Sequence, residues 1–369
     1  MNRLDVRSGS SAFGTFLHGG SDERVALAPD GLGPYSAPEA PDSDEGSGCL
    51  AEPARERLKV GILLPHVETR YGGATARWGD LLSMTRLAED AGFDSVWTVD
   101  HFTLPDHGVE CGVLENFSLL AAIAAVTSRV EIGPMVACTG FRNPALTAKI
   151  AETIDEISGG RLILGLGAGW HAPEYRAMGI PFDHRVGRFE EALTIIHGLL
   201  QDGQIDYEGR FYTARECELR PRGPRPGGDK PHLPLLLGSS GERMLQVGAR
   251  YCDQWNTFFS FMQNDPNSIP ALREKVDAAC RAAGRDPATM VRTASIMVGF
   301  PLPGERGRPD TPNVIKGSVE QIAEQCQRFV DEGISHLCIY LDPMTERGIE
   351  AFVPVLERLK AMDAMTAAR

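Results

Sequence analysis

The sequence predicts an α/β fold: a closed (β/α)8 barrel, with insertions at the face where the strands end. Three observations point there. From Leu58 onward, short runs rich in Val, Ile and Leu alternate with stretches whose apolar residues recur at helical spacing. The strand runs are apolar throughout, as expected when helices cover the outside of a parallel sheet. Eight strand-helix units can be counted in this chain of 369 residues, within the roughly 250 to 400 typical of such a barrel. An open doubly wound sheet is the alternative architecture.

The first strand is LKVGILL (58–64), followed by a helix over 77–91, and the second is FDSVWTV (93–99), followed by a helix over 117–127. The third unit runs from VEIGPMVAC (130–138) into a helix over 145–157. That helix is entered through Asn143 as cap and Pro144 at its first position, and left through Gly159 and Gly160, which tolerate the left-handed stop conformation. RLILGLG (161–167) precedes a helix over 185–201, and LPLLLGS (233–239) one over 242–250. The remaining strands are DQWNTF (253–258), RTASIMVGF (292–300) and HLCIYL (336–341), with helices over 268–283, 318–332 and 346–361.

Two connections exceed the minimal unit. Residues 202–232 read as a short hairpin followed by a Pro/Gly-rich loop, and PLPGERGRPDTPN (301–313) follows the seventh strand. In a barrel, strand-to-helix insertions lie on the C-terminal face, either as a lid or as a passive surface loop. Residues 1–57 carry Ser, Gly, Pro and acidic residues without apolar periodicity. They are expected to form a disordered leader ahead of one barrel domain over 58–369.

A formal net charge of -13 argues against a nucleic-acid or membrane-surface binder, since both need a basic face. The eight cysteines form no CxxC pair and read as core thiols in a reducing cytoplasm. No apolar run approaches the roughly 18 residues of a membrane span, and no export pattern opens the chain. The expected location is therefore cytoplasmic.

A barrel directs attention to the residues immediately after each strand. These are His66 after the first and Asp100-His101 after the second; Gly140 to Asn143 follow the third. The fourth delivers Gly167, Ala168, Gly169, Trp170 and His171, with Glu174 and Tyr175 one turn on, and the fifth delivers Gly238, Ser239, Ser240 and Gly241. A carboxylate and an imidazole at a strand end can exchange protons beside a bound ring, although only one of two neighbours need face the barrel axis. The GSSGER stretch either cradles a phosphate on helix amides or is a turn capped by Ser240. GLGAG lacks the GxGxxG spacing of a dinucleotide loop, and its small residues would let a flat ring approach the backbone. A metal-dependent hydrolase would favour HxH after the first strand, where this chain has PHVE. No metal is expected. Trp97, His184, His197 and His336 read as core, helix-surface or loop residues.

The stretches GFDSVWTVDHF, FRNPALTAKIAETIDEISGGRLILGLGAGWHAPEYRAMGIPF, RFEEALTII and PLLLGSSGERMLQVGARYCDQWNT resemble the luciferase-like flavin-dependent oxidoreductases, and specifically their F420-dependent-type branch. The resemblance runs from about Leu58 to Met362. It implies a barrel that binds F420, or alternatively FMN, at the C-terminal ends of its strands. Asp100 and His101 would lie beside the ring as catalytic residues, His101 carrying the proton. Met135, Val136 and Ala137 match a bulge with a non-prolyl cis peptide that supports the ring's back face. Gly167 to Trp170 and Tyr175 would line the ribityl side, and Gly238 to Gly241 would hold the phosphate, with Ser239 and Ser240 departing from the commoner GGGGE. His66, Trp170 and His171 would face a small-molecule substrate. The resemblance further implies a homodimer, hydride transfer as the main reaction, and a reduced-FMN monooxygenase as its rival; a non-enzymatic barrel is the remote third.

Overall fold

The computed structural model of the protein describes residues 57–106, 108–224, 232–305 and 313–367. Residues 1–56, nearly all of the expected leader, lie outside the described residues, as do 225–231 and 306–312 of the two expected insertions.

In chain order the elements are β1 (Lys59–Leu63), α1 (Trp78–Asp90), β2 (Ser95–Thr98), a hairpin of β3 (Thr103–Asp106) and β4 (Val109–Gly112), α2 (Asn116–Val126), β5 (Glu131–Pro134), β6 (Ala137–Cys138) and α3 (Pro144–Ser158). Then come β7 (Leu164–Gly167), α4 (Ala172–Ala177), α5 (Arg185–Asp202), a second hairpin of β8 (Gln204–Glu208) and β9 (Thr213–Glu218), β10 (Leu235–Gly238) and α6 (Glu242–Tyr251). The chain ends through β11 (Gln254–Phe258), α7 (Phe259–Met262), α8 (Ile269–Ala282), β12 (Val291–Gly299), α9 (Val319–Asp331), β13 (His336–Asp342) and α10 (Glu346–Ala367). Asn143 caps α3 by accepting from the Ala145 and Leu146 amides, and Gly159 ends it at φ 68°. Both are as the sequence predicts.

Strand neighbours run β5-β2-β1-β13-β12-β11-β10-β7-β6, and their pairings are parallel. The strand expected over 130–138 is interrupted at Met135 and Val136, whose peptide bond is cis. Its two halves, β5 and β6, therefore lie at opposite ends of that order, and the sheet returns on itself. Ala137 and Cys138 pair with Leu166 and Gly167 across the seam, and Ile132 bridges Leu162 further down. The sheet is a barrel, and the open alternative is set aside.

The barrel interior is filled by side chains. Trp97 on β2 is fully buried, and its ring lies 5.7 Å from that of His336 on β13, two strands away across β1. Such a contact is possible only on the concave face. Gly61 on β1 makes room, since a Cβ there would lie 2.6 Å from the Trp97 indole nitrogen. The indole N–H donates to Ser95 Oγ at 2.7 Å, and Ser95 Oγ lies 2.8 Å from His336 Nε2, so the polar atoms of this layer are satisfied. Trp97 and His336 are core residues, as expected, while His184 precedes α5 and His197 on α5 packs on Tyr251.

Six of the seven cysteines among the described residues are buried and all seven are free thiols; Cys217 is half-buried. Among the described residues no helix is long and apolar enough to cross a membrane. The hairpin expected within 202–232 is β8–β9, but it joins α5 to β10, so it is a helix-to-strand connection and not one of the strand-to-helix insertions expected at the C-terminal face. The β3–β4 hairpin was not expected. Its strands are four residues each, and one holds Pro105, so the alternation is too short to register as a strand pair in the sequence.

Candidate active site

Because β2, β6, β7 and β10 are parallel neighbours in one barrel, the segments that follow them emerge on a single rim. The chain turns there, and each side chain's direction is set by contacts between segments.

Asp100 and His101 leave β2 in different surroundings. Asp100 is 2% exposed. Its Oδ2 accepts from the Cys138 amide at 2.9 Å and from Arg142 at 2.7 Å, and its Oδ1 accepts from the other Arg142 nitrogen at 2.9 Å. Both oxygens of Asp100, expected beside the ring, are engaged by this clamp. Its use is to tie the end of β2 to the loop after β6. Arg142 also donates to Glu115 at 2.7 Å and lies over the Phe117 ring. Burial alone would lower the guanidinium, but the Asp100 and Glu115 carboxylates outweigh it and leave Arg142 above its usual value. In the sequence Arg142 stands beside a helix start, with nothing local to mark Asp100 or Glu115 as its partner.

His101 is directed the other way. Its Nδ1 lies 2.9 Å from Oε1 of Glu174, which is 1% exposed on α4. The other carboxylate oxygen accepts from the Phe102 amide at 2.8 Å and, more weakly, from that of Thr103 at 3.4 Å. Trp170, 57% exposed, meets the His101 ring edge-on at 5.7 Å. Glu174 is the partner the sequence reading missed. An acidic residue one turn into a helix is unremarkable in sequence, and only the fold brings it against residue 101.

The residues expected to floor the cofactor do converge. Val136 touches the positions where Gly165 and Gly167 of β7 and Gly238 of β10 would carry Cβ atoms, at 2.9, 2.8 and 2.8 Å. Reaching across β7 to β10 places the Val136 side chain on the concave face, at the mouth. Met135 and Ala137 beside it are buried. The missing Cβ atoms of Gly167 and Gly238 thus leave room for the Val136 side chain. Gly167→Ala is accordingly expected to overpack the mouth and cost about 1 to 3 kcal/mol. Adding Val136→Ala to the same chain should restore most of it, as read by urea unfolding.

Tyr175, expected on the ribityl side, is 1% exposed and lies beneath the loop. Its hydroxyl donates to the Ala168 carbonyl at 3.1 Å and lies 2.8 Å from Cys138 Sγ. Gly169, at φ 72°, passes directly over that hydroxyl where no Cβ fits. Tyr175 therefore shapes the Ala168-Gly169 backbone from behind. Burial pushes the Cys138 thiol up to about 12, so it stays protonated in this contact.

His66, expected to face substrate, is also withdrawn. It is 3% exposed, with Nδ1 3.0 Å from the Leu64 carbonyl and Nε2 2.9 Å from the Val99 carbonyl and 3.2 Å from the Val99 amide. Burial lowers its pKa, and both ring nitrogens are held by backbone groups that join the ends of β1 and β2. His171 remains at the rim, with Nε2 3.0 Å from Glu110 on β4.

At β10 the helix cap is Gly241, not Ser240, and no side chain caps α6. Ser239 Oγ accepts from the Gly241 amide at 3.2 Å, and the Ser239 carbonyl accepts from Trp255 Nε1 at 2.7 Å. The loop is thus held while the first-turn amides of α6 have no side-chain partner.

A family model described as luciferase-like monooxygenase matches residues 58–301. The chain is 32% identical over 224 residues to a 5,10-methylenetetrahydromethanopterin reductase of Archaeoglobus fulgidus, covering 60% of this chain and 61% of that one. It is 35% identical over 185 residues to pyrimidine monooxygenase RutA of Agrobacterium fabrum, covering 49% of each. The matched stretch thus spans less than two thirds of either relative. Among solved structures, an F420-dependent secondary alcohol dehydrogenase in complex with an F420-acetone adduct superposes with a TM-score of 0.69 at 21% identity, covering 82% of this chain and 99% of the other. At that identity the likeness is one of fold.

Proposed function

Since the chain belongs to the luciferase-like monooxygenase family, whose enzymes depend on F420 or FMN, we propose that it transfers a hydride between F420 and a small organic substrate at the barrel mouth. The observation that carries this reading is the placement of His101: a half-buried imidazole beside an exposed tryptophan, on the rim that also presents Val136 and the start of α6. Hydride transfer moves two electrons with one hydrogen, and the accompanying proton needs a carrier at the same place.

The residues present fit such a cofactor on two counts. The α6 amides lack a side-chain cap and stand beside the half-buried Ser239 and Ser240, a donor set suited to a phosphate. Val136, backed by three glycines, offers an apolar floor for a flat ring. When bound, F420 supplies the carbon that gives or takes the hydride. The protein's part is to hold the phosphate at Gly238 to Gly241, to back the ring with Met135, Val136 and Ala137, and to flank it with Gly167 to Trp170. Trp170 and His171 form the substrate side, and His101 holds the proton. Asp100, Tyr175 and His66 act from behind these residues.

F420 is preferred because the four stretches from GFDSVWTVDHF to PLLLGSSGERMLQVGARYCDQWNT, taken together, resemble the F420-dependent branch. The match to a pyrimidine monooxygenase favours the second reading, a reduced-FMN monooxygenase. Titrating the purified protein into F420 and into FMN separates them. Saturable quenching of F420 fluorescence is expected, tight FMN binding without an F420 response would reverse the cofactor, and binding of neither would remove the oxidoreductase reading. Ser239→Asp sets a carboxylate against the phosphate and should weaken binding about tenfold or more, equivalent to roughly 1.4 kcal/mol. Unchanged affinity would mean that the phosphate is held elsewhere.

A further inference from the structure

We propose that Glu174 is a positioning residue that sets the tautomer of His101, keeping the proton on Nδ1 and leaving Nε2 as a bare base at the mouth. The second half of this statement rests on the function proposed above; the first half does not.

An ionised carboxylate only accepts, so the 2.9 Å contact between Glu174 Oε1 and His101 Nδ1 requires an N–H on Nδ1. A neutral imidazole carries one such hydrogen, so Nε2 then holds a lone pair. Among the described residues Nε2 has no hydrogen-bond partner, and it is absent from the buried atoms left unsatisfied, so solvent or substrate reaches it. Glu174 is itself immobilised: it is 1% exposed, and its Oε2 is held by the Phe102 and Thr103 amides, the two residues after His101. The carboxylate therefore reads the backbone that carries the imidazole and fixes ring and chain together. With a hydride-accepting cofactor bound, Nε2 would receive the proton that the substrate gives up, and the ring would become imidazolium, charged next to Glu174.

Glu174→Gln tests this sharply, because the backbone amides dictate how a glutamine must sit. Its carbonyl oxygen has to take the place of Oε2 opposite the Phe102 and Thr103 N–H groups, since an NH2 there would set donors against donors. The NH2 then faces Nδ1, which must present a lone pair, and the proton moves to Nε2. In cofactor-free protein labelled with 15N-histidine, with the His101 signals assigned by their loss in His101→Gln, the neutral ring should be protonated at Nδ1. In Glu174→Gln it should be protonated at Nε2. Turnover in the direction that consumes a substrate proton should fall about 10²- to 10⁴-fold with KM within about threefold, since the base is lost and the pocket kept.

The same tautomer in both proteins would overturn the proposal. So would protonation at Nε2 in the unaltered protein, a result that needs no variant to fold. A shifted tautomer with no F420 response would leave the positioning role standing and remove only the hydride reading.

Discussion

His101→Ala is expected to lower turnover about 10²- to 10⁴-fold, the range for losing a placed general acid or base, while cofactor affinity changes only slightly. The asymmetry follows from where the ring stands. It is anchored through Nδ1 to Glu174 and edges against Trp170, whereas the groups suited to the ring and phosphate, Val136 and the α6 amides, lie on other strands. Steady-state kinetics beside a fluorescence titration of cofactor would check both halves. Unchanged turnover would take His101 out of the chemistry, and an equal loss of affinity would mean that it mainly binds.

Arg142→Ala is expected to be among the most destabilising exchanges at the rim, by about 3 to 5 kcal/mol. Asp100 is 2% exposed and receives two of its three hydrogen bonds from that guanidinium, so alanine strands a carboxylate with the Cys138 amide alone. Glu115 loses a partner as well. Arg142→Lys should recover only part of the loss, because a single ammonium cannot match the paired geometry. Denaturant unfolding of both variants, with Asp100→Asn to remove the stranded charge, would read this. A loss below about 1 kcal/mol in Arg142→Ala would show that water reaches Asp100 and screens it.

Much of the fold was legible in the sequence because it is written in local periodicity. The expected helix over 185–201 is α5 (Arg185–Asp202), and that over 242–250 is α6 (Glu242–Tyr251), since the repeat of apolar residues needs no distant partner to be read. The rim was legible only as an address. Period-2 alternation says which strand residues face the axis, but it ends where the strand ends, and the site begins there.

The partners of the side chains at those addresses could not be read from local pattern for that reason. Asp100 and His66 were expected to face ligand and instead join neighbouring segments. Tyr175 was expected to line a pocket and supports its wall. Gly167 and Gly238, expected beside the cofactor, also make room for Val136.

The barrel, the order of its units and the set of segments that share one mouth all follow from local pattern in the chain. The tertiary structure alone decided the partnerships, Asp100 with Arg142 and His101 with Glu174, across 42 and 73 residues. The physical reason is that burial of an apolar run is favourable almost wherever the chain can collapse, whereas a hydrogen bond between two side chains exists only when the folded backbone brings them within about 3 Å at the right angle.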